Sequence, residues 1–130
     1  MRVSLTLSIA VVCVFLASMV SAQDATKVDS KHYTVVSENS EVRILKVHYG
    51  PHEKSVMHSH PDAVAVFLTD GKTQFTYPDG KKEEHSWKAG ESMFTPAGTH
   101  LPENLTDKPM ELVLVELKGK ASHSAKTEKK

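Results

Sequence analysis

Short apolar runs separated by turn-forming residues make up most of this chain, from Lys31 to Leu117. The runs are rich in valine, threonine, tyrosine and phenylalanine, which favour strands, and no stretch keeps the helical period of about 3.6 residues. They predict strands at about Tyr33–Ser37, Val42–Tyr49, Val56–His60, Ala63–Thr69, Lys72–Tyr77, Lys81–Lys88, Ser92–Thr95, His100–Leu105 and Met110–Leu117. Many short strands joined by tight turns are typical of a β-sandwich or barrel.

The run of residues 63–68 is apolar at every position. Because successive side chains of a strand point to opposite faces, Val64, Val66 and Leu68 share one face. We expect that face to point inward. The opposite face, which carries Phe67, is apolar too, and we expect it to be covered by the second sheet or by a partner subunit.

The first 22 residues have the pattern of a signal peptide. Arg2 precedes an uncharged apolar run over residues 3–20, and Val20-Ser21-Ala22 supplies the small residues of a cleavage site. The alternative is a membrane anchor, because about 18 apolar residues are at the lower limit for spanning a bilayer. Four serines interrupt the segment and no basic cluster follows it, so we favour cleavage after Ala22 and a periplasmic or secreted protein.

The mature chain is expected to hold one domain, over residues 32–118, after an N-terminal arm at residues 23–31. It contains no cysteine, because Cys13 lies in the predicted signal peptide, and a domain of this size forms one core without disulfides. The last residues, 119–130, include four lysines and no large apolar side chain, which predicts a disordered tail.

The full chain is balanced in charge, with 16 basic and 16 acidic side chains and a formal net charge of 0. Nucleic acids and anionic membranes bind to basic faces. We therefore expect no nucleic-acid partner and no stable membrane association after signal cleavage, and a small-molecule ligand or substrate instead.

Three histidines stand where a β-scaffold can bring them together. His58 and His60 are two residues apart and would share one face of a strand, and His100 would approach them from another strand. Neutral imidazole is the commonest metal ligand in proteins, and three nitrogens leave coordination positions open. The pattern predicts a metal site; the alternative is a pair of surface histidines.

These residues lie in two motifs that resemble those of the cupin family. His58-Ser59-His60-Pro61 and Gly71 are similar to the first motif, and Gly90–Gly98, His100 and Asn104 are similar to the second. The resemblance implies an all-β fold, a double-sheet jelly roll or cupin-like β-barrel, as a single domain. It also implies one divalent metal ion on the three histidines, and a homodimer, since cupins are often dimers.

The chain departs from the family pattern in three places. His52 stands where a glycine is expected, the second motif is one residue short between Gly98 and His100, and the third departure, at the glutamate position, matters most. Counting back from Gly71, Val64 stands where the family's glutamate ligand is expected, so we predict a three-histidine site; Asp62 is the alternative carboxylate. An ion held by three neutral imidazoles keeps its full charge and acts as a stronger Lewis acid. Cupins without the glutamate include cysteine and diketone-cleaving dioxygenases, which implies iron first, with zinc, manganese, nickel and copper as alternatives.

The functional hypothesis is an exported cupin with a dioxygenase-like activity on a small anionic substrate. The alternative is a non-catalytic module that binds a metal or a small ligand, and a third possibility is a scaffold without metal. The fold alone does not choose among these functions.

Other side chains have weaker predictions. Glu103 is interpreted as a charged residue at the lip of the barrel, or alternatively as a general base. Four aromatic and methionine residues are expected to fill the core, with an apolar pocket wall as the alternative: Tyr77, Trp87, Met93 and Phe94. Of the other histidines, His48 is expected to be satisfied or partly exposed and His85 to lie on an exposed edge. His52 is expected to be exposed in a turn, with an approach to the metal as the alternative. His32 and His123 are expected at flexible chain ends.

Overall fold

The computed structural model describes residues 23–119. Within them it contains one short helix and nine strands: α1 (Ala25–Val28), β1 (Tyr33–Glu38), β2 (Val42–Tyr49), β3 (His58–His60), β4 (Ala63–Phe67), β5 (Gly71–Thr76), β6 (Lys82–Trp87), β7 (Ser92–Thr95), β8 (Gly98–Asn104) and β9 (Met110–Leu117). Each predicted strand is found, with its ends shifted by two residues or fewer. The predicted signal peptide, and the predicted tail beyond Gly119, lie outside the described residues.

The strands form two antiparallel sheets, as the predicted jelly roll requires. One sheet has five strands in the order β1-β2-β9-β4-β7, and the other has four in the order β3-β8-β5-β6. The β5–β6 hairpin closes through a turn in which Gly80 has a φ of 84°, a conformation that glycine adopts without strain. The all-β class and the double-sheet architecture are confirmed.

The core lies on the inner face of the five-stranded sheet. In β2 the buried residues Leu45, Val47 and Tyr49 alternate with exposed ones. Val47 pairs with Leu112 of β9, so their side chains project to the same side. Each such aliphatic side chain contributes about 1.5–3 kcal/mol of hydrophobic free energy on burial.

The inward face of β4 is the opposite of the predicted one. Ala65 and Phe67 are 5% and 4% exposed, whereas Val64 is only half-buried and Leu68 is 48% exposed. The reason is the register, because Ala65 pairs with Leu114 and Phe67 with Leu112, whose side chains line the space between the sheets. A strand that is apolar on both faces carries no periodic signal for which face is inside. The prediction that Val64, Val66 and Leu68 point inward was wrong.

The N-terminal arm packs against the four-stranded sheet. Asp24 caps α1 by accepting a hydrogen bond from the Thr26 amide (2.8 Å), and the Ser59 amide donates to the Gln23 carbonyl (2.9 Å). His32 is 5% exposed, so its predicted place at a flexible chain end was wrong. Contacts with residues far along the chain, including Glu53, hold it in place. No helix in residues 23–119 is long and apolar enough to cross a membrane.

Candidate functional site

The structure brings the three predicted histidines together. Strands β3 and β8 are antiparallel neighbours, and their register sets His58 directly opposite His100. The ring centroid of His100 lies 5.1 Å from that of His58 and 4.6 Å from that of His60. The shared face of His58 and His60, predicted from their spacing, is what allows both rings to meet His100.

The three rings line a cavity of about 290 Å³ between the two sheets. Of the candidate wall residues, Tyr77, Trp87 and Met93 line this cavity, whereas Phe94 lies outside it and is 54% exposed. His85, expected on an exposed edge, is 43% exposed and lines the cavity as well. Its place in the cavity wall follows from which face of β6 points inward, and the sequence alone does not give that face.

The two carboxylates considered from the sequence lie away from the cavity. Asp62 accepts a hydrogen bond from the Ala97 amide (2.7 Å) and so stabilises the turn before β8. Neither Asp62 nor Glu103 belongs to the cavity wall. Strand β4 contributes Ala65 rather than Val64 to that wall, so β4 presents no carboxylate to the histidines.

Backbone carbonyls select the tautomers of two of these histidines. His58 Nδ1 lies 2.9 Å from the Val56 carbonyl oxygen, and His60 Nδ1 lies 2.8 Å from the Pro61 carbonyl oxygen. A carbonyl oxygen only accepts hydrogen bonds, so Nδ1 donates its proton in both rings. The lone pair of each Nε2 is therefore free, as a metal ligand requires.

Burial keeps His58 and His100 uncharged. It lowers the pKa of His58 below its ordinary value. It also lowers the pKa of His100, which the neighbouring rings of His60 and His58 reduce further, to about 3. Both rings are neutral at neutral pH, which is the form that binds metals.

A buried chain of hydrogen bonds lies behind His58. Ser55 Oγ is 3.2 Å from His58 Nδ1 and donates to the Asp29 carboxylate (2.5 Å), which also accepts from His32 Nδ1 (2.8 Å). The second ring nitrogen of His32 is 2.9 Å from a carboxylate oxygen of Glu53. His32 therefore bridges the carboxylates of Asp29 and Glu53.

Sequence reasoning missed this chain of residues. Asp29, His32 and Ser55 come from the N-terminal arm and the loop before β3, and their spacing has no motif. Only their burial, at 9%, 5% and 5% exposure, distinguishes them from exposed polar residues in the folded protein. Charged and polar groups are buried when they are paired.

The donor chemistry fits a divalent metal, because the set offers neutral imidazoles with two Nε2 lone pairs already exposed. The planes of the His58 and His100 rings lie at 88° to each other. Among residues 23–119, no group of three or more histidine, cysteine, aspartate or glutamate side chains is placed to hold a metal ion.

A model of the family described as "Cupin domain" matches residues 45–116 of this chain. No curated protein matches it. Among solved structures, a cupin domain from Bordetella pertussis Tohama I is 27% identical, with a TM-score of 0.63, over 67% of this chain and 92% of the other.

Two further solved structures share the fold. A conserved protein with a double-stranded β-helix domain from Klebsiella pneumoniae is 22% identical, with a TM-score of 0.55, over 69% of this chain and 78% of the other. A cupin superfamily protein from Desulfitobacterium hafniense is 11% identical, with a TM-score of 0.51, over 67% of this chain and 76% of the other.

Proposed function

Since this chain belongs to the cupin family, we propose that it binds one divalent metal ion through His58, His60 and His100 and a small molecule in the adjoining cavity. The observation that carries the proposal is the meeting of three imidazoles at the cavity wall, with ring centroids 4.6 and 5.1 Å apart. The neutral state of His58 and His100 and the exposed Nε2 lone pairs of His58 and His60 support it.

Iron is the metal we favour, with zinc, manganese, nickel and copper as alternatives that imidazole also suits. A bound divalent ion would supply Lewis acidity, and iron would add redox chemistry. The protein's own residues prepare the site: the Val56 and Pro61 carbonyls orient two rings, and mostly apolar side chains line the cavity. Electrostatic interactions are stronger in such apolar surroundings than in water.

A dioxygenase-like reaction on a small substrate is the activity we propose, by resemblance to cupins with three histidines and no carboxylate ligand. The absence of a carboxylate on the cavity side of β4 supports this resemblance within the described residues. The alternative is a non-catalytic module that binds a metal or a small ligand. We also propose export through the signal peptide at residues 1–22, to the periplasm or the medium.

Titration calorimetry on metal-free protein tests the metal site. We expect one Fe²⁺ or Zn²⁺ per chain, with binding lost in His58→Ala, His60→Ala and His100→Ala. Because the metal binds the folded form, free metal at about 100 times its Kd should raise the free energy of unfolding by about 2.7 kcal/mol. The matched control is His48→Ala, since His48 lies outside the cavity with 51% of its side chain exposed. Equal affinity in wild type and His58→Ala would reject the site.

Oxygen uptake distinguishes the enzyme from the binding module. Iron-loaded protein would be given cysteine or 2,4-pentanedione, the substrate types of the two dioxygenase groups that the site resembles. Uptake above that of His58→Ala on either compound supports the enzyme. Binding of iron without any such uptake favours the non-catalytic module.

A further inference from the structure

One wall of the cavity is built from stacked rings. Trp87 stacks on Phe67 with ring centroids 4.2 Å apart and planes at 11°, and on His85 at 5.5 Å and 14°. Phe75 stacks on His100 at 4.9 Å and 27°. All five side chains line the cavity, so a planar aromatic molecule inside it would contact aromatic rings, and such contacts stabilise beyond the area they bury.

The charged residues of the wall disfavour anions. Within residues 23–119, no lysine or arginine lines the cavity, and its two carboxylates are Glu83 and Glu116. Glu116 is paired with Arg43 at 2.6 Å, which offsets its charge. Glu83 accepts a hydrogen bond from Tyr77 (3.0 Å), with half of its side chain exposed. A carboxylate entering this cavity would meet no lysine or arginine, and an unpaired buried charge is costly.

The hydrogen-bonding groups near the histidines also favour a donor. His58 and His60 use Nδ1–H on backbone carbonyls, so each presents only the Nε2 lone pair to the cavity. A hydroxyl or an indole N–H can donate to such a nitrogen, whereas a carboxylate cannot. The cavity has room for a ligand of one or two rings, because it measures about 290 Å³ and a cavity of about 150 Å³ is enough for benzene.

We propose that the cavity of the metal-free protein selects uncharged planar aromatic molecules that carry a hydrogen-bond donor, and that its walls reject the anionic forms of the same ring systems. This inference deepens the proposed ligand-binding function and rests on it. The anionic substrate expected from the sequence follows from the charge of a bound metal, whereas this class of ligand follows from the walls alone.

The test uses the whole chain after residue 22, freed of metal, so that the cavity walls alone determine the affinity for each probe. The probes are 2-naphthol, 2-naphthoate and decahydro-2-naphthol, which vary the charge and the aromaticity of one ring system. Calorimetry gives the affinities, and the fluorescence of Trp87, the sole tryptophan of the chain, reports whether the cavity is occupied. We expect 2-naphthol to bind at least about tenfold more tightly than either analogue, and with a change in Trp87 emission.

Matched variants locate the effect. Phe75→Leu should weaken 2-naphthol binding by about three- to tenfold, whereas Phe94→Leu, outside the cavity, should not. Glu83→Gln should narrow the preference for 2-naphthol over 2-naphthoate, whereas Glu84→Gln should leave it unchanged, because Glu84 pairs with Lys72 away from the wall. Melting temperatures confirm that each variant is folded.

Three results would overturn the proposal: no binding of 2-naphthol, equal or tighter binding of 2-naphthoate, or equal binding of the saturated alcohol. Metal titration of the same preparation keeps the two proposals separate. A chain that binds metal but not 2-naphthol disproves only the ligand class, and one that selects 2-naphthol without binding metal disproves only the metal site.

Discussion

Ser55 is the residue through which the N-terminal arm reaches the histidines. Its hydroxyl lies between Asp29 and His58 Nδ1, and its side chain is 5% exposed. Outer groups that orient a ligating histidine commonly change metal affinity by about 10- to 100-fold. Ser55 is therefore a positioning residue for the proposed metal site.

Ser55→Ala should lower both metal affinity and stability. The substitution removes one donor from buried Asp29, which costs about 1–3 kcal/mol in unfolding free energy, and it removes a second partner of His58. We expect metal affinity to fall by about tenfold. Calorimetry and urea unfolding measure the two effects, with exposed Ser86→Ala as the control. A loss of stability with unchanged metal affinity would show that Ser55 has a structural role alone.

At the scale of elements, β4 determines which side chains line the cavity opposite the histidines. Its inward positions hold the small Ala65 beside Phe67, while Val64 points to the outer face. Alanine at this position leaves space that a larger inward residue would fill. The pairing of β4 with β9 determines this arrangement.

Ala65→Glu and Val64→Glu should therefore behave differently. A carboxylate at position 65 should destabilise the metal-free protein and raise the affinity for manganese relative to zinc, because oxygen ligands suit harder cations. At position 64 it should leave metal preference unchanged. Competition between manganese and zinc measures the ratio of the two affinities in each variant. Ala65→Asp replaces Ala65→Glu in this test if the longer side chain prevents folding. A shift in metal preference caused by Val64→Glu would contradict the register described here.

At the scale of the whole molecule, the outer face of the five-stranded sheet carries an apolar row. Phe94, Val64, Val115 and Ile44 are successive cross-strand partners on β7, β4, β9 and β2. Phe94 is 54% exposed, and the other three are half-buried. We propose that a second copy of the chain covers this row in the homodimer expected from the sequence.

Phe94→Lys should prevent that dimer. A lysine on each copy would set like charges against each other and leave the row solvated. Sedimentation equilibrium of wild type is expected to give a dimer, and that of Phe94→Lys a monomer with an unchanged fold. Val56→Lys is the control, since Val56 is 46% exposed but precedes β3 of the other sheet. A monomeric wild type, or a dimeric Phe94→Lys, would exclude this face as the interface.

The sequence by itself determined the positions of the strands and the identity of the three histidines. Turn residues such as Asp79-Gly80 end strands locally, and the two-residue spacing of His58 and His60 places them on one face whatever lies around them. Their meeting with His100 was predicted from the motifs that resemble cupins. The sequence also predicted that β4 is apolar, but it did not determine which face of the strand points inward.

Only the tertiary structure decided what surrounds the histidines. The inward face of β4 depends on its register with β9, nearly fifty residues further along the chain at Ala65 and Leu114. The burial of His32 depends on Asp29 and Glu53, and the aromatic wall depends on β6 facing β4 across the core. Local patterns encode periodicity, whereas the choice of face and of polar partner is made by contacts between distant segments, and those contacts form the cavity.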